Sequence, residues 1–158
     1  MPAYSHTKHY LKMKHIPNNI FFTWVEQEIK TGRSVRFRIK GQSMFPLLRD
    51  GKDEVILQPF LKEELAPMDV VLFKFKDKHM LHRIIRKEDE RLYIQGDGSF
   101  VAKEECTTND VIGKVGIIVK PSGKMIPTDS WKWKIPSFLW TKTGVFKSYL
   151  LRLLHRIM

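Results

Sequence analysis

The stretch Gly41-Gln42-Ser43-Met44-Phe45-Pro46-Leu47-Leu48-Arg49-Asp50-Gly51 follows an alternating run, Val35-Arg36-Phe37-Arg38-Ile39-Lys40. It is too apolar for a plain surface loop, and its glycines and proline do not suit the interior of a helix or strand. It predicts a stiff turn at a strand end, with Met44, Phe45 and Leu47 packed beneath the Ser43 hydroxyl. Such rigidity suits a nucleophile, because a misplacement of about 1 Å can cost roughly a hundredfold in rate. The alternative is an ordinary hairpin connection with a capping serine.

Four further segments follow this serine box in the chain. They are Asp69-Val70-Val71-Leu72-Phe73-Lys74-Phe75, Met80-Leu81-His82-Arg83-Ile84-Ile85, Tyr93-Ile94-Gln95-Gly96-Asp97-Gly98 and Ile112-Gly113-Lys114-Val115. In this order, the segments resemble the catalytic core of the superfamily that unites type I signal peptidases with LexA-like self-cleaving repressors. The resemblance covers roughly residues 40–119, about half of the chain.

The resemblance implies roles for two residues. The family's Gly-x-Ser-Met-x-Pro-x-Leu box carries the nucleophilic serine, which corresponds to Ser43, and its base lies just before an Arg-hydrophobic pair. Many members have a lysine as the base, but this chain has His82 before Arg83 and so resembles the Ser/His branch. Imidazole titrates near neutral pH unaided, whereas a lysine base must be strongly desolvated. His82 would take the proton from Ser43 and return it to the leaving amine.

The remaining parts of such a site are less defined by the sequence. In the Ser/His branch an acid several positions after the Gly-Asp box orients the histidine, but the best-matching position here is Lys103. Asp97 of the box itself, Glu104 after a one-residue shift, or no acid at all remain open. An orienting acid would fix the tautomer of the base and stabilise its imidazolium form. Backbone N–H groups around Ser43, supported by Gln42 and Met44, would form the oxyanion hole.

The patterning between Val35 and Val119 predicts the fold class. Short apolar or alternating runs separated by polar turns indicate a mainly β (α+β) fold built on an antiparallel sheet. The resemblance implies a coiled β-domain of the signal-peptidase/LexA-like type. We divide the chain into an N-terminal segment with a short helix (1–34), the peptidase-like β-domain (35–120) and a basic, Trp-rich tail (121–158). Asn19 is expected to cap the first helix, which ends near Gly32.

Charge is distributed unevenly along the chain. Residues 1–40 hold eight Lys or Arg and two Asp or Glu, residues 41–119 hold twelve and fourteen, and residues 120–158 hold eight and one. Basic flanks around a near-neutral core indicate contact with an anionic surface, unless the charge serves only solubility.

The tail adds an apolar pattern to this charge. Apolar residues recur at helical spacing and predict a basic amphipathic helix: Val145, Phe146, Tyr149, Leu150, Leu153, Leu154 and Ile157. With Trp131, Trp133 and Trp140 at interfacial-type positions, the tail could lie on an anionic membrane surface. Alternatively, the helix docks on the β-domain or on a second copy of the chain.

Several classes of site are not expected. Cys106 is the one cysteine, so an internal disulfide is excluded, and His79 and His82 should point to opposite faces of a strand. We expect neither a metal nor a cofactor. No secretory signal peptide is recognised, and no apolar run approaches the roughly 18 to 20 residues of a spanning helix. A cytoplasmic or peripherally membrane-associated protein without a transmembrane anchor is therefore expected.

Together these patterns lead to one functional hypothesis and two alternatives. The hypothesis is a serine endopeptidase (a hydrolase) that removes a leader or pro-peptide from a peptide or protein substrate. One alternative is a non-catalytic peptide- or nucleic-acid-binding module on a peptidase fold, although intact Ser43 and His82 argue against it and nucleic acid is not an expected partner. The other is a self-cleaving regulator, but no Ala-Gly or Cys-Gly cleavage pair precedes Ser43.

Overall fold

The computed structural model describes residues 17–99 and 103–158. The first helix, α1, spans Asn18–Lys30, and the last two helices are α2 (Trp131–Thr141) and α3 (Lys147–Ile157). Between them lie the strands β1 (Val35–Arg38), β2 (Glu54–Gln58), β3 (Val70–Phe75), β4 (Lys78–Glu88), β5 (Arg91–Gln95), β6 (Glu104–Thr107), β7 (Val111–Val119) and β8 (Met125–Pro127). Residues 1–16, with the basic and histidine-rich start of the N-terminal segment, and residues 100–102 lie outside the described residues.

The strands form one antiparallel sheet in the order β1-β2-β7-β3-β4-β5-β6, with β8 added to β7. The long strand β7 pairs with β3 through its first part and with β8 through its last part, while β2 lies along its other edge. Three register shifts interrupt the ladders, and bulges of this kind bend and twist the strands. The described chain is thus mainly antiparallel β with three helices, and the prediction of an α+β fold is confirmed at that level.

Apolar clusters cover both faces of the sheet at β3. Val70 and Leu72 point into one cluster, which also holds Val25 of α1, whereas Val71 and Phe73 point into the other. All four of these β3 residues are buried, which explains why the strand reads as a continuous apolar run rather than an alternating one. The buried centre of the sheet provides a rigid base for the neighbouring strand β4.

Two expectations about the helices are wrong in detail. Helix α1 begins at Asn18, so Asn19 lies within its first turn and is not the cap. No side chain forms a capping hydrogen bond at this end of the helix. Residues 131–141 form helix α2 despite the internal Pro136. One face of α2 packs inward, so Trp133 and Trp140 are buried and do not take the interfacial positions expected of them; Trp131 is exposed.

The helices of the described ranges are too short or too polar to span a membrane. None of α1, α2 and α3 combines the length and the apolar character that crossing a bilayer requires.

Two glycines of β7 provide a test of core packing. A Cβ on Gly113 would lie 2.6 Å from both Cγ and Cδ2 of the buried Leu57. We expect Gly113→Ala to lower the free energy of unfolding by about 1–3 kcal/mol, the usual cost of overpacking a core. For Gly116→Ala the three nearest atoms would belong to the end of the flexible Gln58 side chain, which can rotate away. Urea unfolding, monitored by tryptophan fluorescence, should therefore show that Gly113→Ala is less stable than Gly116→Ala. Equal free energies of unfolding for the two variants would show loose packing around Leu57.

Candidate active site

Residues 41–51 fold as a compact turn between β1 and β2. The turn is closed by the Asp50 carboxylate, which accepts a hydrogen bond from the Gly41 N–H at 2.8 Å, and by the Ile39 carbonyl, which accepts one from the Gly51 N–H at 2.9 Å. Gly41 has a φ of 89°, in the left-handed region that glycine adopts readily. Beneath the turn, Met44, Phe45 and Leu48 are buried and Leu47 is half-buried, while Ser43 is exposed. The stiff apolar turn predicted from the sequence is therefore present.

A buried carboxylate fixes the far end of this turn. The Asp53 side chain is fully buried and accepts hydrogen bonds from the backbone N–H and guanidinium of Arg49 and from the Lys120 ammonium group. Lys120 also donates to the Leu47 carbonyl at 3.3 Å, which connects the end of β7 to the serine box. Burial by itself would raise the pKa of Asp53, but the hydrogen bonds from Arg49 and the charge of Lys120 lower it overall.

This lowered pKa predicts a pH-dependent stability. The ionised Asp53 should contribute fully above the unfolded pKa of about 3.9, and its contribution should disappear as pH falls through the lower folded pKa. We expect Asp53→Asn to reduce the free energy of unfolding near pH 7 by about 1–3 kcal/mol, because Arg49 and Lys120 lose the negative charge and one of the two acceptor oxygens. Urea titrations from neutral pH downwards measure the difference between wild type and variant. If the difference in free energy of unfolding between wild type and Asp53→Asn does not shrink in acid, the ionised Asp53 is not the source of the stability.

His82 is held in the sheet beside a glycine. It stands opposite Val71 of β3, and the register of β4 with β5, in which Arg83 pairs with Gln95, places Gly96 on its other side. A Cβ on Gly96 would lie 3.1 Å from His82 Nε2 and 2.5 Å from the Ser43 carbonyl oxygen. The absence of a side chain at Gly96 therefore lets the Nε2 edge of the ring approach the backbone of Ser43. The Gly98 N–H donates to that same carbonyl at 2.8 Å and fixes the approach.

The opposite edge of the His82 ring meets a carboxylate. His82 Nδ1 lies 3.2 Å from Glu104 Oε2, and both side chains are largely buried. The contact follows from the register, because Ile84 pairs with Ile94 and Ile94 pairs with Glu104, which puts these residues in one row on one face. His82 lies two residues before Ile84 and so points to that same face. Lys103, the position that matched best by sequence alone, is exposed.

Asp97, the other candidate acid, has a different partner. Its two carboxylate oxygens accept hydrogen bonds from Arg83 Nε at 2.8 Å and Arg83 Nη2 at 2.7 Å, and both side chains are buried. Because Arg83 follows His82 directly in β4, the two side chains point to opposite faces of the strand. In the described structure Asp97 therefore forms an ion pair with Arg83, and Glu104 is the candidate acid that contacts His82.

Two tryptophans of helix α2, in the C-terminal tail, contact the partners of this ion pair. The Trp140 indole N–H donates to the Asp97 carbonyl at 3.0 Å, and the Arg83 guanidinium lies 5.4 Å from the Trp133 ring centroid. Arg83 also donates through Nη1 to the Met68 carbonyl at 2.9 Å. Sequence reasoning missed the role of Trp133 and Trp140, because it assigned these tryptophans to interfacial positions rather than to the β-domain.

Breaking the Arg83–Asp97 pair by removing one partner should be strongly destabilising. We expect Asp97→Leu to lower the free energy of unfolding by about 3–5 kcal/mol, because it leaves a buried guanidinium without its counter-charge. Arg83→Met combined with Asp97→Leu removes both charges and should cost clearly less than Asp97→Leu alone. A double-mutant cycle by urea unfolding measures the coupling. If the effects of Asp97→Leu and Arg83→Met on the free energy of unfolding simply add in the double variant, the predicted coupling is absent.

Several groups near Ser43 are available for chemistry. Among residues 17–99 and 103–158, none accepts a hydrogen bond from the backbone N–H of Ser43 or Met44. Within the same ranges, Ser43 Oγ and the His82 ring form no hydrogen bond; in substrate-free enzymes such bonds are often long and shorten when substrate binds. The structure brings the backbone of the exposed Ser43, the His82 ring and the Glu104 carboxylate together, and acyl transfer uses these three kinds of group.

Other kinds of chemistry find less support in the described residues. No group of three His, Cys, Asp or Glu side chains there is placed to hold a metal ion. Burial raises the pKa of the Cys106 thiol to about 12, so this thiol stays protonated at neutral pH and is a poor nucleophile. His79 stacks on Phe22 with ring centroids 5.0 Å apart, whereas His82 neighbours Phe73, so the two histidines lie on opposite faces as predicted.

In comparisons with known proteins, the chain matches no family model and no curated protein. The interpretation of the site therefore depends on the arrangement of its own residues and on the ordered sequence boxes.

Proposed function

We propose that the chain is a serine endopeptidase of the signal-peptidase/LexA-like kind that removes a leader or pro-peptide. The observation that carries this proposal is the orientation of the His82 ring. Its Nδ1 lies 3.2 Å from Glu104 Oε2, while its Nε2 faces Gly96 next to the Ser43 backbone. A general base between a nucleophile and an acid needs this directional order of its two nitrogens.

The proposed reaction assigns one step to each residue. Ser43 Oγ attacks the scissile carbonyl carbon as its proton passes to His82 Nε2, and the backbone N–H groups of Ser43 and Met44 stabilise the oxyanion. When the C–N bond breaks, His82 gives that proton to the leaving amine. A water molecule then attacks the acyl-enzyme, with His82 again acting as the base, and Ser43 is regenerated. Glu104 holds the tautomer that has its proton on Nδ1 and stabilises the imidazolium.

The exposure of Ser43, the proposed nucleophile, favours cleavage in the middle of a substrate peptide rather than at its terminus. Ser43 stands on the outside of its turn, whereas His82 is only 5% exposed behind it. A carbonyl in the middle of an extended peptide can reach such a serine without entering a deep pocket. The resemblance adds an expectation that small residues precede the scissile bond.

The proposal predicts a specific pattern of variants. Ser43→Ala and His82→Ala should abolish cleavage of peptides that have small residues before the scissile bond, as measured by mass spectrometry. Glu104→Gln should lower kcat by about 10²- to 10⁴-fold, because the orienting charge is lost while the shape is kept. Lys78→Ala, on the exposed start of β4, is the matched control and should leave cleavage unchanged.

The variants also distinguish a histidine base from a lysine base. Loss of cleavage in Lys78→Ala with cleavage retained in His82→Ala would overturn the proposal. Peptides that bind without being cut would favour the alternative of a binding module.

A further inference from the structure

Helix α2 has two faces of opposite environment. Its buried face, formed by Trp133, Ser137 and Trp140, packs on the β-domain. Its other face carries four large apolar side chains that are 52–67% exposed: Trp131, Ile135, Phe138 and Leu139. Four residues at helical spacing form a continuous apolar strip, and soluble proteins rarely leave such a strip uncovered without a binding role.

Helix α3 repeats this division less sharply. Leu151 is buried against Phe45 of the serine box and Trp140, with Leu150 and Leu154 packed at the edge of the same cluster. A second apolar row remains more than 40% exposed and does not share in that packing: Phe146, directly before α3, and Tyr149, Leu153 and Ile157 of α3. The apolar arc of α3 is therefore wider than the area that the β-domain covers.

The charged residues of this segment are all cationic. Residues 131–158 contain six Lys or Arg and neither Asp nor Glu. The Lys132 ammonium lies 5.9 Å from the Trp131 ring centroid, and that of Lys142 lies 5.3 Å from the Phe138 ring centroid. Each exposed aromatic ring of α2 thus has a cation directly beside it, so the surface combines apolar area with an unopposed positive charge.

We propose that the exposed faces of α2 and α3 form a docking surface for an anionic lipid bilayer. Amphipathic helices that lie in a bilayer interface combine Trp, Phe and Leu on one side with Lys and Arg beside the lipid headgroups. The apolar rows enter the boundary between headgroups and acyl chains, and Lys132, Lys134, Lys142, Arg152 and Arg156 bind anionic headgroups. This surface is independent of the proposed cleavage chemistry, because neither Ser43 nor His82 belongs to it.

The charge pattern argues against two other occupants. If a second copy covered the same surface, the five exposed cations of one chain would face the five of the other with no carboxylate in either segment to offset them; the sixth, Lys147, is buried. Nucleic acid would satisfy the cations, but it would not account for the exposed aliphatic residues Ile135, Leu139 and Leu153. A bilayer with anionic headgroups matches both components.

Co-sedimentation of the full-length chain with vesicles tests the proposal. The chain should pellet with vesicles of phosphatidylcholine and phosphatidylserine, and much less with phosphatidylcholine alone. Raising the salt from about 0.1 M to about 1 M shortens the screening length from about 10 Å to about 3 Å and should weaken binding. Ile135→Ser with Leu139→Ser should weaken binding about tenfold or more, because both side chains leave the interface.

Matched variants distinguish binding through this surface from nonspecific hydrophobic binding and from any effect of the candidate active site. Ile20→Ser with Leu61→Ser removes two equally exposed apolar residues outside the tail and should leave binding unchanged. Ser43→Ala should also bind normally, so failure of the cleavage proposal would not affect this one. Equal pelleting of wild type and the Ile135/Leu139 variant would overturn the proposal.

Two further measurements test the other occupants directly. Sedimentation velocity without lipid should show a monomer, and a dimer that the Ile135/Leu139 variant disrupts would assign the surface to a second copy. Binding to single-stranded DNA that survives the Ile135/Leu139 change, together with absent vesicle binding, would assign the cations to nucleic acid. Either of these results would overturn the proposal.

Discussion

The buried ion pair between Arg83 and Asp97 is the interaction on which the arrangement of the site depends. Arg83 is next to His82 in β4, and Asp97 lies in the Gly96–Gly98 loop that contacts the Ser43 carbonyl. Joining the two charges therefore fixes the distance between the strand that carries the histidine and the loop that holds the serine. Since both side chains are almost fully buried, water does not compete for this bond.

Such a pair has a particular energetic character. Removing two charges from water is costly, and the attraction between them offsets this only when geometry and additional hydrogen bonds are good. Here both Asp97 oxygens accept hydrogen bonds from Arg83, and the additional contacts come from the Met68 carbonyl and the Trp133 ring to Arg83 and from the Trp140 N–H to the Asp97 backbone carbonyl. We infer that the pair contributes more to the uniqueness of the local geometry than to net stability. A buried charge pair cannot slide by one residue without leaving each charge alone, so it fixes register as well as proximity.

Sequence reasoning recovers the parts of this protein that depend on local patterning. The alternating runs identify most strands of the sheet, and the glycines and proline around Ser43 identify the stiff turn. The choice between Asp97 and Glu104 could not be made in this way, because both lie near the same box in the chain. It is decided by strand alternation: Arg83 takes Asp97 on one face, which leaves Glu104 to His82 on the other. Helix α2 was not predicted, because Trp131, Lys132, Trp133 and Lys134 alternate in polarity instead of recurring at helical spacing, and because its buried row includes the polar Ser137.

The position of α2 in the chain has a consequence for the timing of assembly. Trp133 and Trp140, which cover Arg83 and contact Asp97, are synthesised after all eight strands of the sheet. A chain emerging from the ribosome folds its N-terminal parts first, so the strands can pair while the tail is still inside. Until then the ion pair lacks the Trp133 ring over Arg83 and the hydrogen bond from Trp140 to the Asp97 carbonyl. Under the proposed function, the loop beside Ser43 would gain this support only once α2 has been synthesised.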